Sequence, residues 1–261
     1  MIGLDRFSKY FENFTDCYIV IGGAACHDYF DREGLPFRVT EDIDIILVVE
    51  AVNDKFIAHF WEFIKEGKYE RNEQSEKRQY YRFINPEKED FPGQVELFSR
   101  MPDIIKPTAD TRFTIIPTDE DLSSLSAILM DDDYYQFTLE QCTIEGVLNR
   151  ANELALICLK VKAFLDLNQR KKEGQRIDSK NIKKHRSDVF RLAATLTGED
   201  QIELPESIQK DMITFVRIME ANPPQTKEFL KAMGISMVST EQLIDQLKFS
   251  FKLDKSFHSD S

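Results

Sequence analysis

Ile19-Val20-Ile21-Gly22-Gly23-Ala24-Ala25, followed by Arg38-Val39-Thr40-Glu41-Asp42-Ile43-Asp44-Ile45, is the stretch that decides how this chain folds. Cys17 to Ile21 is an apolar run ended by two glycines, which predicts a buried strand stopping in a tight turn. Ala24 to Phe30 is expected to leave the glycine pair as a helix. Ile43 to Val49 is almost continuously apolar, as in a strand covered on both faces. Side chains alternate along a strand, so Asp42 and Asp44 leave it on the same face.

That arrangement has chemical content. Two neighbouring carboxylates repel and are costly to desolvate unless a cation joins them. Hard oxygen donors of this kind suit Mg2+ or Mn2+. Adjacent glycines let backbone N–H groups approach phosphate oxygens, and the start of the next helix adds partial positive charge. Thr40 belongs with the glycines on the phosphate side, its hydroxyl holding the loop that enters the Asp42 strand. No Gly-Lys-Ser/Thr follows and no third glycine is present, which excludes a Walker A loop and a dinucleotide-binding turn. A third acid is expected on a neighbouring strand, and Glu96 in Gln94-Val95-Glu96-Leu97-Phe98 is the candidate. It would orient a second metal ion or accept the proton of an attacking hydroxyl. The reaction these parts suit is in-line attack on the α-phosphate of an NTP.

Outward from this core, Leu4 to Phe14 and Asn53 to Lys65 are amphipathic helix candidates. Arg78 to Ile84, Arg112 to Ile116, Ser124 to Met130 and Tyr134 to Leu139 are strand candidates. From Ala151 the periodicity becomes helical, with segments at 151–167, at 179–196, from Pro205, to about Met233, and from Ser239 to Phe249. The expected organisation is α+β: a catalytic domain over residues 1–148 and a helical domain over 149–261.

The 261 residues include 20 phenylalanines, eight tyrosines and one tryptophan, enough large rings for substantial cores. The formal charge of −12 disfavours binding of bulk nucleic acid or an anionic membrane. Cys17, Cys26, Cys142 and Cys158 have no paired metal-ligand spacing and suggest reduced thiols in a cytoplasmic protein. No apolar segment is long enough to span a membrane.

The order of motifs resembles the nucleotidyltransferase superfamily that includes DNA polymerase beta, and within it the AbiEii-type proteins, the enzymatic half of bacterial toxin–antitoxin pairs. The family pattern is an apolar strand ending in Gly-Gly or Gly-Ser, a helix, Asp-x-Asp/Glu in an apolar strand, and a later acid. Gly22, Gly23, Asp42, Asp44 and Glu96 occupy those positions. Glu153-Leu154 leading to Lys160 and Lys162, then Lys184-His185-Arg186-Ser187-Asp188, resemble the helical half, so the likeness spans roughly residues 17–196. The resemblance implies a metal-dependent nucleotidyltransferase and an antitoxin partner. Three features depart from the pattern: 18 residues separate Gly23 from Asp42, His185 stands where aspartate is usual, and the third acid is glutamate.

Lys160 lies in the apolar run Leu154 to Leu159, so its ammonium must snorkel or meet an anion. The triphosphate is the anion expected, with Lys184 a second cation at the phosphates. Arg170 to Arg191 holds nine basic residues against three acidic ones, a candidate surface for triphosphate or an RNA acceptor. Two competing readings remain: an aminoglycoside-type antibiotic nucleotidyltransferase, and a non-catalytic binding or regulatory protein that keeps the fold.

Overall fold

In the computed structural model the apolar run ahead of the glycines is β1 (Tyr18–Ile21), with all four residues buried. The structure describes residues 1–72, 80–100, 131–235 and 237–253. Antiparallel β2 (Asp42–Leu47) lies on one side of β1 and parallel β7 (Leu148–Ala151) on the other. Beyond β2 come parallel β5 (Gln94–Phe98), then antiparallel β4 (Tyr80–Ile84) and β3 (Glu70–Asn72). Beyond β7 comes antiparallel β6 (Cys142–Glu145). Among the described residues the sheet is mixed and seven-stranded, in the order β3-β4-β5-β2-β1-β7-β6.

The chain divides into two units, Met1–Met130 with Thr138–Asn152, and Asp131–Phe137 with Glu153–Ser261. In the first, α1 (Leu4–Tyr10) and α3 (Asp54–Gly67) are joined to β1 by aromatic rings. Phe7 lies 4.6 Å from Phe11, and meets Tyr18 at 5.3 Å and Phe63 at 5.8 Å edge to face. Each such ring, fully buried, contributes about 1.5–3 kcal/mol, and this cluster absorbs many of the phenylalanines. The Asn53 side chain accepts from the Lys55 and Phe56 amides and so starts α3.

Several elements differ from expectation. The α2 helix (Gly22–Arg32) takes the glycine pair into its own first turn. The helix expected over 4–14 ends at Tyr10 and gives way to a 3-10 turn at Glu12–Phe14. The strand expected at 134–139 is a helix, α4 (Asp132–Glu140). There Asp131 accepts from the Asp133 amide at 3.0 Å, and Tyr134, Phe137 and Thr138 share a buried helical stripe. The β6–β7 hairpin, turning at Gly146 (φ 67°), was not foreseen. A boundary at 148/149 would cut β7 after its first residue, whereas the first unit keeps β7 whole. The strands expected at 112–116 and 124–130 lie outside the described residues.

The second unit contains α5 (Glu153–Lys172), α6 (Ser179–Ala193), α7 (Glu206–Ala221), α8 (Lys227–Ala232) and α9 (Thr240–Ser250). Helix α5 is buried along most of Leu154 to Leu167, packing on α6 and α7. Phe215 meets Phe164 at 5.3 Å and Phe190 at 6.2 Å. Ser239 and Gln242 form a reciprocal cap at the start of α9. No helix among the described residues is long and apolar enough to cross a membrane.

Candidate active site

The site begins where β1 ends. Gly22 has φ +68°, a left-handed conformation that side chains disfavour. A Cβ at Gly22 would fall 1.8 Å from Asp44 Oδ2, so backbone and carboxylate touch only because the side chain is missing. Strand pairing produces this contact: Ile21 stands opposite Asp44 in the antiparallel β1–β2 register. A Cβ at the buried Gly23 would meet Thr40 Oγ1 at 2.7 Å and the Arg38 guanidinium at 3.4 Å. The first turn of α2 holds no acidic residue, and no side chain caps it. Its leading N–H groups lack intrahelical acceptors, which suits an anion.

On β2, Asp42 and Asp44 are half-buried and share a face, while Ile43 and Ile45 between and beyond them are buried. Parallel β5 places Gln94 opposite Asp42 and Glu96 opposite Asp44. Antiparallel β4 then places Arg82 opposite Glu96. Glu96 is only 5% exposed. Arg82 Nε donates to Glu96 Oε1 at 2.7 Å, and Gln94 Nε2 donates to the same oxygen at 2.8 Å. Burial pushes the Glu96 carboxyl up to about 8; the Asp44 charge adds to the rise and Arg82 opposes it.

Gly22, Gly23, Thr40, Asp42, Asp44 and Glu96 are therefore brought into one neighbourhood of the first unit. The sequence reading missed Arg82, Gln94 and Arg38 there. Gln94 carried a usable signal, since it stands two residues from Glu96 on one strand and shares its face. Arg82 carried none, because its position opposite Glu96 depends on a register that local sequence does not state.

Lys160 and Lys184 belong to the helical unit. The anion that buried Lys160 meets is Asp188, at 3.1 Å, in place of the triphosphate expected for it. Asp188 is itself fully buried and also accepts from Arg191 at 3.3 Å. Lys162 pairs with Asp211 at 2.7 Å, and Tyr134 donates to the same carboxylate oxygen at 2.9 Å. Lys184 is exposed on α6. Within the basic stretch, Arg170 donates to Gln175 and pairs with Asp166. Burial lowers the pKa of half-buried Arg186.

Among the described residues no three His, Cys, Asp or Glu side chains converge on one ion position. Asp42 and Asp44 still suit Mg2+, which commonly takes one or two protein carboxylates and completes its shell with water and phosphate oxygens. No protein-family model matches the sequence, and no curated protein is significantly similar to it.

Proposed function

We propose that the sheet-containing unit is a metal-dependent nucleotidyltransferase that moves an NMP group from an NTP to an acceptor hydroxyl, the acceptor oxygen bonding to the α-phosphorus as the α–β anhydride breaks, the hydroxyl proton is lost and pyrophosphate leaves. The observation that carries this reading is the contact of Gly22 with Asp44, where a Cβ would fall 1.8 Å from the carboxylate oxygen. A turn able to seat phosphate and an acid able to hold a cation thus abut. Asp42 and Asp44 would hold Mg2+ or Mn2+, and the ion supplies charge neutralisation at the phosphates. Gly22, Gly23 and the leading amides of α2 seat phosphate oxygens, with Thr40 packed against Gly23 and Arg38 supplying a cation beside it. The acceptor is an RNA, a protein or a small hydroxylated molecule, and a toxin role with an antitoxin partner belongs to the same reading.

The test is incubation with each α-labelled NTP and Mg2+ or Mn2+, offering the protein itself, total tRNA and an aminoglycoside panel as acceptors. Label is expected in one acceptor, and Asp42→Asn with Asp44→Asn should lower its transfer at least about 100-fold while leaving thermal melting cooperative. Undiminished transfer in the double variant refutes the mechanism. The second reading, a nucleotide-fold binding or regulatory protein, is favoured by the commitment of Glu96 Oε1 to Arg82 and Gln94. Calorimetry showing Mg2+-dependent NTP binding without transfer to any acceptor would select it.

A further inference from the structure

We propose that Glu96 is a positioning residue and not a metal ligand: Arg82 and Gln94 engage its carboxyl group, and a divalent cation is held by Asp42 and Asp44 alone. The inference rests on the metal site put forward above and deepens it. Both donors reach one atom, with Arg82 Nε 2.7 Å and Gln94 Nε2 2.8 Å from Glu96 Oε1. A second guanidinium nitrogen also lies 2.7 Å from that oxygen. A ligating oxygen presents its lone pairs to the ion, whereas Oε1 already accepts from two side chains, and the same carboxyl group also shares a hydrogen bond with Asp44. The engagement is built into the sheet, because Arg82 stands opposite Glu96 across β4–β5, and Gln94 lies two residues away on the same face. Breaking it is costly at a position only 5% exposed. Glu96 in turn stands opposite Asp44 on β5, where it buttresses the ligand as outer partners of metal sites do.

The test is Mn2+ affinity of the full-length protein, read from the electron paramagnetic resonance signal of free Mn2+. Glu96→Gln keeps an oxygen for Arg82 and Gln94, and its Kd should stay within about threefold of wild type. Asp44→Asn should weaken binding at least about tenfold. Arg82→Gln removes a positive charge beside the site and should tighten Mn2+ binding, while Arg82→Lys should restore the wild-type value. A Glu96→Gln variant that melts like wild type yet binds Mn2+ as weakly as Asp44→Asn overturns the proposal and makes Glu96 a ligand. Weaker binding by Arg82→Gln at unchanged melting temperature overturns it as well. Wild-type protein that binds no Mn2+ at millimolar concentration is a different result, removing the metal reading itself and this proposal with it.

Discussion

Burial and a neighbouring negative charge push the Glu96 carboxyl in one direction, to about 8, and Arg82 offsets only part of the rise. The unfolded chain releases that proton near the ordinary glutamate value of 4.5, so between the two values the native state binds more protons. Stability from this group is therefore whole below pH 4.5 and is lost as pH rises through 8. In EDTA, the urea midpoint of wild-type protein should fall between pH 5 and pH 9 more steeply than that of Glu96→Gln. Equal slopes in the two proteins would disprove the assignment. At this scale the sequence was informative about residue types. The Gly-Gly pair and the Asp-x-Asp spacing are local, and each announces its geometry through backbone freedom or strand alternation. Lys160 shows the limit: an ammonium in an apolar helix signals a buried anion, but Asp188 and triphosphate are equally good answers until α5 and α6 are packed together.

At the scale of elements, α2 matters because its first residue is Gly22. Its far end is tied to the β6–β7 hairpin through Asp28. Arg150, 1% exposed on β7, donates to Asp28 at 2.9 Å and to Glu145 at 2.8 Å, and lies over the Tyr29 ring at 5.3 Å. Arg32, more exposed, reaches the same Asp28 oxygen at 2.8 Å. Removing the buried cation leaves a mostly buried carboxylate short of a partner, so Arg150→Ala should cost about 3 kcal/mol in urea denaturation. Arg32→Ala should cost less than about 1 kcal/mol, since exposed pairs contribute little. Equal costs would show that burial does not set the strength of this network. None of it was legible beforehand: Leu148-Asn149-Arg150-Ala151 is too short and too polar to signal a buried strand. A strand was expected over Tyr134 to Leu139, and helix α4 formed there for a related reason. Tyr134-Tyr135-Gln136-Phe137-Thr138 favours strand by propensity, but the Asp131 cap and the burial of Tyr134, Phe137 and Thr138 along one side reward a helix.

For the whole molecule, the division into units follows the change from sheet to helical periodicity with one complication. Residues 131–137 join the helical unit before the chain returns to build β6 and β7 of the sheet. A fragment ending at residue 148 would lack most of β7, the parallel neighbour of β1, together with Arg150. Fragment 1–152 should melt cooperatively by circular dichroism, whereas fragment 1–148 should show a broad transition or none. Indistinguishable melts would mean that β7 contributes little to the fold. The −12 net charge and the nine cations between Arg170 and Arg191 remain compatible at this scale, because field and local patch act over different distances.

Local sequence determined the apolar β1, the glycine turn, the paired aspartates, the main helices and the α+β composition, since each depends on periodicity or backbone freedom within a few residues. Tertiary structure alone decided that Asp44 touches Gly22, that Arg82 and Gln94 engage Glu96, and that Asp188 answers Lys160. These are facts of strand register and helix packing, set by hydrophobic burial over the whole fold. A shift of one residue in strand pairing would turn the shifted strand's side chains, Asp44, Arg82 or Gln94 and Glu96, to the opposite face of the sheet, whereas Asp188 reaches Lys160 only through the packing of α5 on α6.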